Sequence, residues 1–176
     1  TEQAAVKNIV GISPQDTAVA ENLTVLENMR LICGIYGYSP ERTKQRIDAM
    51  TSLFRMDEVA NSRTKTLSGG WKRKLSIALA LIAEPKVLFL DEPTLGLDIL
   101  ARRELWSVVE ELKGKITIVL TTHYMEEAEA LSDRIAIMID GNLAALGTLS
   151  ELEAQSGESG LENTFVKIAA KFGKGA

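Results

Sequence analysis

The chain has 176 residues, the size of one domain on the usual prior of ~100–200 residues, and 45% hydrophobic and 25% charged residues give an ordinary soluble globular balance. One cysteine, Cys33, excludes an internal disulfide framework or a Cys-rich zinc site, and one histidine, His123, excludes any site that needs two imidazoles. Twenty basic against 24 acidic residues leave a net charge of −4, which argues against a general nucleic-acid binder. No apolar run approaches the ~20 residues of a membrane span, and Thr1-Glu2-Gln3 has neither signal nor transit character. These features predict a cytoplasmic, single-domain chain cut from something longer.

Asn8 to Ser13 is short, β-branched and followed by Pro14, so it reads as a strand ending. Thr24-Val25-Leu26-Glu27 matches a capping box and opens a helix to about Ile35, stopped by Gly37. Ser39-Pro40 caps and starts a second helix that runs to about Arg55. Asn61 to Thr66 is polar and loop-like. Ser68-Gly69-Gly70 precedes a helix over about Trp71–Ala83, with Leu75, Ala78, Leu79 and Ile82 as its buried stripe and Pro85 after it. Val87 to Leu90 and Ile116 to Leu120 are apolar runs, expected as strands buried on both faces, and Arg134 to Ile139 as a third. Between the first two, Leu105, Val108, Val109 and Leu112 show helical spacing that ends at Gly114. Asp140-Gly141 predicts a hairpin turn. Thr148 to Glu151 is a second capping box, Ser156 to Gly160 a flexible link, and Leu161 to Phe172 a last amphipathic helix. Strands alternating with helices imply an α/β fold with a parallel sheet.

Four elements carry candidate chemistry. Gln15 follows the first strand and offers a neutral amide to a hydrated metal or a water. Leu67-Ser68-Gly69-Gly70 places two residues without Cβ at a helix N-terminus, where N–H groups and the helix dipole favour a phosphate, and Ser68 adds a hydroxyl. The strand Val87–Leu90 ends in Asp91-Glu92, two acids at the carboxyl edge of the sheet, where ligands of open α/β sheets bind. Successive residues point to opposite sides of the pleat, so Asp91 could serve a Mg²⁺ while Glu92 orients or deprotonates a water. His123 ends the next strand. Taken singly, each has an ordinary explanation: a loop glutamine, a glycine turn, a solvated strand end, a structural histidine. In this order they are far more specific.

The set resembles the ATP-binding cassette (ABC) ATPases over essentially the whole chain. Leu67-Ser68-Gly69-Gly70 resembles that family's signature motif, Phe89 to Thr94 its Walker B strand with catalytic Glu, Gly96-Leu97-Asp98 its D-loop, His123 its switch histidine and Gln15 its Q-loop glutamine. The resemblance implies a P-loop NTPase (RecA-like) parallel sheet. An inserted α-helical signature subdomain would occupy about 18–84, the core 1–17 and 85–147, and C-terminal helices 148–176. It implies ATP and Mg²⁺ as cofactors. Glu92 would be the general base and His123 a γ-phosphate contact, Asp91 and Gln15 would serve the metal, and Gln15, Leu67, Ser68, Gly69, Gly70 and Asp98 would bind nucleotide. Two such domains would close head to tail on two ATP molecules and drive a transmembrane permease from the inner face of the membrane, with no nucleic acid involved.

The chain departs from the pattern twice. Trp71 stands where the signature most often has Gln; it could pack under the helix start or meet the partner. No G-x-x-x-x-G-K-[ST] stretch occurs, since Val109 and Ile168 stand where the Gly-Lys pairs at Gly114 and Gly173 would need an earlier glycine. The N-terminal part of the cassette is therefore expected to be missing, and the chain alone to bind ATP poorly and hydrolyse none. A non-transport ABC ATPase acting on DNA or ribosomes is the alternative, although the compact stretch from Gln15 to Ser68 lacks the heptads of the chromosome type. The short tail after Gly147 resembles that of export ATPases for drugs, lipids or polysaccharides. Tyr36 and Tyr38 are candidate contacts to the permease.

Overall fold

The computed structural model describes residue 6 and residues 9–172. The chain divides into two compact units, Thr1–Thr121 and Thr122–Ala176. Among the described residues no helix is long and apolar enough to cross a membrane.

The first unit is built on a three-stranded parallel sheet, β1 (Val10–Ser13), β2 (Val87–Asp91) and β3 (Thr117–Thr121), with β2 in the centre. The connection from β1 to β2 carries three helices, α1 (Val25–Ile35), α2 (Pro40–Phe54) and α3 (Gly69–Leu81); α4 (Ile99–Leu112) links β2 to β3. The capping box at Thr24 forms in both directions, with Glu27 N–H on Thr24 Oγ1 at 3.2 Å and Thr24 N–H on the Glu27 carboxylate at 2.8 Å. Ser39 caps α2 as expected, and Arg55 ends it in a left-handed conformation. The polar stretch at Asn61 to Thr66 is ordered rather than loose. Thr64 is fully buried in a 3₁₀ turn, and Asn28 satisfies its whole amide on Ala20 N–H and on the oxygens of Ala20, Thr24 and Thr64.

Helix α3 starts at Gly69, two residues earlier than its apolar spacing predicts, because Ser68 supplies the cap. Its predicted stripe is buried, and so are Ile77 and Leu81. Close approach of its backbone to β1 depends on Gly11, where a Cβ would lie 2.6 Å from the carbonyl of Ala80. Arg46 of α2 closes the other end of α3, donating to the carbonyls of Leu81 and Ile82 at 2.8 and 2.9 Å.

The expectation of strands buried on both faces is corrected here. Leu88 and Leu90 are buried, but Ile12, Phe89 and Val119, which stand in register across the sheet, are 62%, 40% and 40% exposed. The period-2 alternation of a strand sends the two sets to opposite faces. The apolar run conceals this because both sets are hydrophobic.

The second unit holds α5 (Met125–Leu131), the hairpin of β4 (Ile135–Ile139) and β5 (Asn142–Gly147), α6 (Leu149–Ser156) and α7 (Leu161–Phe172). Asp140 and Gly141 both take positive φ, at 48° and 76°, and make the predicted tight turn. β4 therefore pairs antiparallel with β5. Only its Ile135 and Ile137 are buried, with Leu152, Leu161 and Ile168 in one core, while Met138 is exposed. The capping box at Thr148 forms. The link expected to be flexible is instead hydrogen-bonded: Gly157 takes the left-handed cap of α6, and the Glu153 carboxylate accepts from Gly160 N–H at 2.7 Å.

Candidate functional site

The three parallel strands end together. β1 leaves its ladder at the rung joining Ser13 to Leu90, so Pro14 and Gln15 depart beside Asp91 and Glu92. The last rung of β2 pairs Asp91 with Thr121. Gln15, Asp91 and Thr121 are exposed at this edge and Glu92 is half-buried. Thr121 donates its hydroxyl to Asp91 Oδ1 at 2.5 Å, and its backbone carbonyl accepts from Glu92 N–H at 3.0 Å. Glu92 itself sits at φ 45°, in the left-handed region that non-glycine residues rarely adopt. Such conformations persist where the surroundings over-determine them, and they gather at functional sites.

The surroundings are visible here. Arg73, in the second turn of α3 and only 4% exposed, donates to the Glu92 carbonyl at 2.7 Å, to Asp91 O at 3.4 Å and to Pro14 O at 2.6 Å. One residue earlier on β1, the Ser13 and Ser76 hydroxyls meet at 3.0 Å. Helix α3 is thus tied by side chains to the ends of both β1 and β2. Sequence reasoning passed over Arg73 as one of three consecutive basic residues. Nothing in the sequence around it marks Arg73 as buried: its helical neighbours are Gly69, Gly70, Ser76 and Ile77, and its acceptors lie on strands distant in sequence.

At the N-terminus of α3, Ser68 Oγ accepts from Trp71 N–H at 3.5 Å, Leu67 is half-buried, and Ser68 and Gly69 are exposed. A Cβ on Gly69 would meet nothing within 4 Å, whereas one on Gly70 would lie 3.4 Å from Ala101 Cβ of α4. The contact at Gly70 is an ordinary van der Waals distance, so packing within the chain requires glycine at neither position. Trp71 carries Lys74 Nζ 4.4 Å from its ring centroid, and Lys74 also pairs with Glu104 of α4 at 2.6 Å. Asp98 caps α4, accepting from Ala101 N–H at 2.9 Å.

The structure thus gathers Gln15, Asp91 and Glu92 at one edge, and it sets Leu67 to Gly70 and Asp98 at the N-termini of the packed helices α3 and α4. His123 belongs to the second unit, where its ring lies 4.2 Å from that of Tyr124. Among the described residues no group of three or more His, Cys, Asp or Glu could hold a metal ion. The oxygen donors at the sheet edge are the carboxylates of Asp91 and Glu92 and the amide of Gln15, all hard oxygens. Such a sparse set fits Mg²⁺, which takes one or two carboxylates and completes its shell with phosphate and water.

A parallel sheet flanked by helices, with polar residues at its carboxyl edge, is an architecture that the P-loop NTPases share with other nucleotide-binding α/β folds. The family model described as ABC transporter matches residues 1–95. A solved ATP-binding subunit of an ABC transporter superposes with a TM-score of 0.81 at 31% identity, covering 94% of this chain and 70% of that one. A dimeric, post-hydrolysis ATP-binding cassette bound to ADP and Pi superposes at 0.73 with 26% identity, over 84% of this chain and 66% of that one. The phospholipid-transporting ATPase ABCA3 of Homo sapiens is 40% identical over 94% of this chain, which spans 10% of its length. The chain belongs to the ABC transporter family, in its ATP-binding domain.

Proposed function

We propose that this chain is part of an ATP-hydrolysing cassette that couples hydrolysis to export of a substrate across a membrane. The observation that carries the reading is the shared sheet edge, where Asp91 and the left-handed Glu92 end the central strand beside Gln15. Glu92 is the general base that takes the proton of the attacking water. Asp91 and Gln15 hold Mg²⁺, which when bound neutralises charge on the phosphates. His123 contacts the γ-phosphate. Leu67, Ser68, Gly69 and Gly70 face the nucleotide of a second cassette, with Asp98 beside them; the open space at Gly69 supports a backbone approached by a ligand rather than by a neighbouring helix.

The dimeric cassette holding ADP and Pi supports pairing of two cassettes, and the head-to-tail arrangement is part of the proposal. The phospholipid transport named for the human relative supports a transport role; export, and a working place on the cytoplasmic side of the membrane beneath a permease, belong to the proposal itself. In this reading residues 18–84 are a helical subdomain set between core segments 1–17 and 85–147, with C-terminal helices over 148–176. The reading requires a G-x-x-x-x-G-K-[ST] segment, which these 176 residues do not contain, so the chain by itself binds ATP poorly and hydrolyses none. The test is Glu92→Gln in the full-length transporter that carries this chain. Loss of a general base lowers kcat by ~10²–10⁴ while ATP binding is kept; wild-type turnover in that variant refutes the assignment.

A further inference from the structure

Beyond the rung that joins Ser13 to Leu90, the sheet ladder no longer connects β1 to β2. Yet Gln15, Asp91 and Glu92, to which the proposed chemistry assigns work, lie beyond that rung. Arg73 takes over the connection from outside the sheet. Its Nη1 binds the carbonyl of Pro14, immediately before Gln15, and its Nη2 the carbonyls of Asp91 and Glu92. A planar guanidinium presents its donors in a fixed fork, so the spacing between the two carbonyl sets is held by one rigid group. The group is 4% exposed, and water therefore competes little for these acceptors.

The Glu92 backbone is held on both sides. Its N–H is bound to the Thr121 carbonyl and its C=O to Arg73. A left-handed Glu is strained, and without such anchors it would relax toward an ordinary conformation and swing its carboxylate. We infer that Arg73 is a positioning residue that fixes Glu92 and Gln15 relative to one another for the attack of water, acting from the same helix whose first turn carries Gly69 and Gly70. The inference rests on Glu92 being the base.

Its test uses the full-length transporter and three variants: Arg73→Lys, Arg73→Gln and, in parallel, Glu92→Gln. Lysine keeps the charge but offers a single ammonium that cannot hold both carbonyl sets. Arg73→Lys is expected to lower kcat by ~10–10²-fold, the scale of a small misplacement of reacting groups. The KM for ATP should stay within about twofold, and bound nucleotide per protein should match wild type. Arg73→Gln, which loses the charge and the fork, should fall at least as far. Arg73→Lys with kcat within about twofold of wild type overturns the inference. So does a kcat that falls only in proportion to nucleotide-binding capacity, since that reports lost folded protein rather than a misplaced base. If Glu92→Gln itself keeps turnover, the functional reading fails first; if it abolishes turnover while Arg73→Lys does not, the positioning role alone fails.

Discussion

Gly11→Ala tests how closely α3 is seated on the sheet. The new Cβ would lie 2.6 Å from the Ala80 carbonyl oxygen, 3.0 Å from Pro85 Cγ and 3.3 Å from Leu88 Cδ1. The first of these is backbone at the end of a helix and cannot rotate away. Helix and strand must part by about 0.8 Å to restore ordinary van der Waals contact. Overpacking of this kind costs about 1–3 kcal/mol, offset in part by the ~0.5–1 kcal/mol that alanine gains over glycine through its smaller conformational entropy. The net expectation is a loss of about 1–2 kcal/mol. In a chain of this size each kcal/mol lowers Tm by ~2–4 °C, so calorimetry should show the first unit melting about 2–8 °C lower. Gly34→Ala is the control. Gly34 lies in α1 with open space where its Cβ would go, and the same change there should raise stability by up to about 1 kcal/mol. A Gly11→Ala protein that melts at or above wild type, with Gly34→Ala behaving as stated, would show that the seat is not tight and refute the packing argument.

Arg46→Met removes two charged hydrogen bonds from the carbonyls of Leu81 and Ile82 and an ion pair with Glu84. The half-exposed Glu84 adds little. The carbonyl bonds set the scale, and a loss of about 2 kcal/mol in urea denaturation is expected; no change would show that water replaces the arginine freely. Glu27 is held below its ordinary carboxylate pKa chiefly by the backbone N–H of Thr24, then by the Thr24 side chain. A depressed folded value means the ionised box stabilises α1 above the unfolded pKa of about 4.3, and this contribution is lost as pH falls through the lower folded value. Glu27→Gln keeps an acceptor at the same position but cannot titrate, so its helicity and midpoint should fall less steeply than wild type on acidification below about pH 4.5. Parallel pH profiles for the two proteins would count against the box as the source. Glu151, lowered in the same way by Thr148 at the start of α6, should respond alike.

What was legible in the sequence was local. The boxes at Thr24 and Thr148, the cap at Ser39, the turn at Asp140-Gly141 and the span of α7 depend on residues within a few positions of one another, and all are realised. What failed depended on a third partner. Phe89 and Val119 have the hydrophobicity of core residues, but burial is decided by which face α3 covers, and Gly11 brings α3 to the face of Leu88 and Leu90. The link at Ser156 to Gly160 has the composition of a flexible segment. It is fixed by the Glu153 carboxylate reaching forward to Gly160 and by Glu158 N–H on Ser156 Oγ, bonds that composition does not reveal.

The same distinction runs through the candidate site. Motif order brought out Gln15, Asp91 and Glu92 because each follows an apolar strand, and parallel strands deliver their ends to one edge. It did not bring out Thr121 or Arg73, whose parts depend on rungs and carbonyls distant in sequence. Thr121 binds Asp91 through its hydroxyl and Glu92 through its carbonyl, while Arg73 binds both of those residues and Pro14. Glu92 cannot hold a left-handed backbone by its own preference, because a side chain with a Cβ is penalised there. The conformation is therefore imposed from β3 on one side and from α3 on the other. A sequence change at either support would move Glu92 without altering the Asp-Glu motif itself, so an intact motif is by itself weak evidence that the carboxylate is correctly aimed.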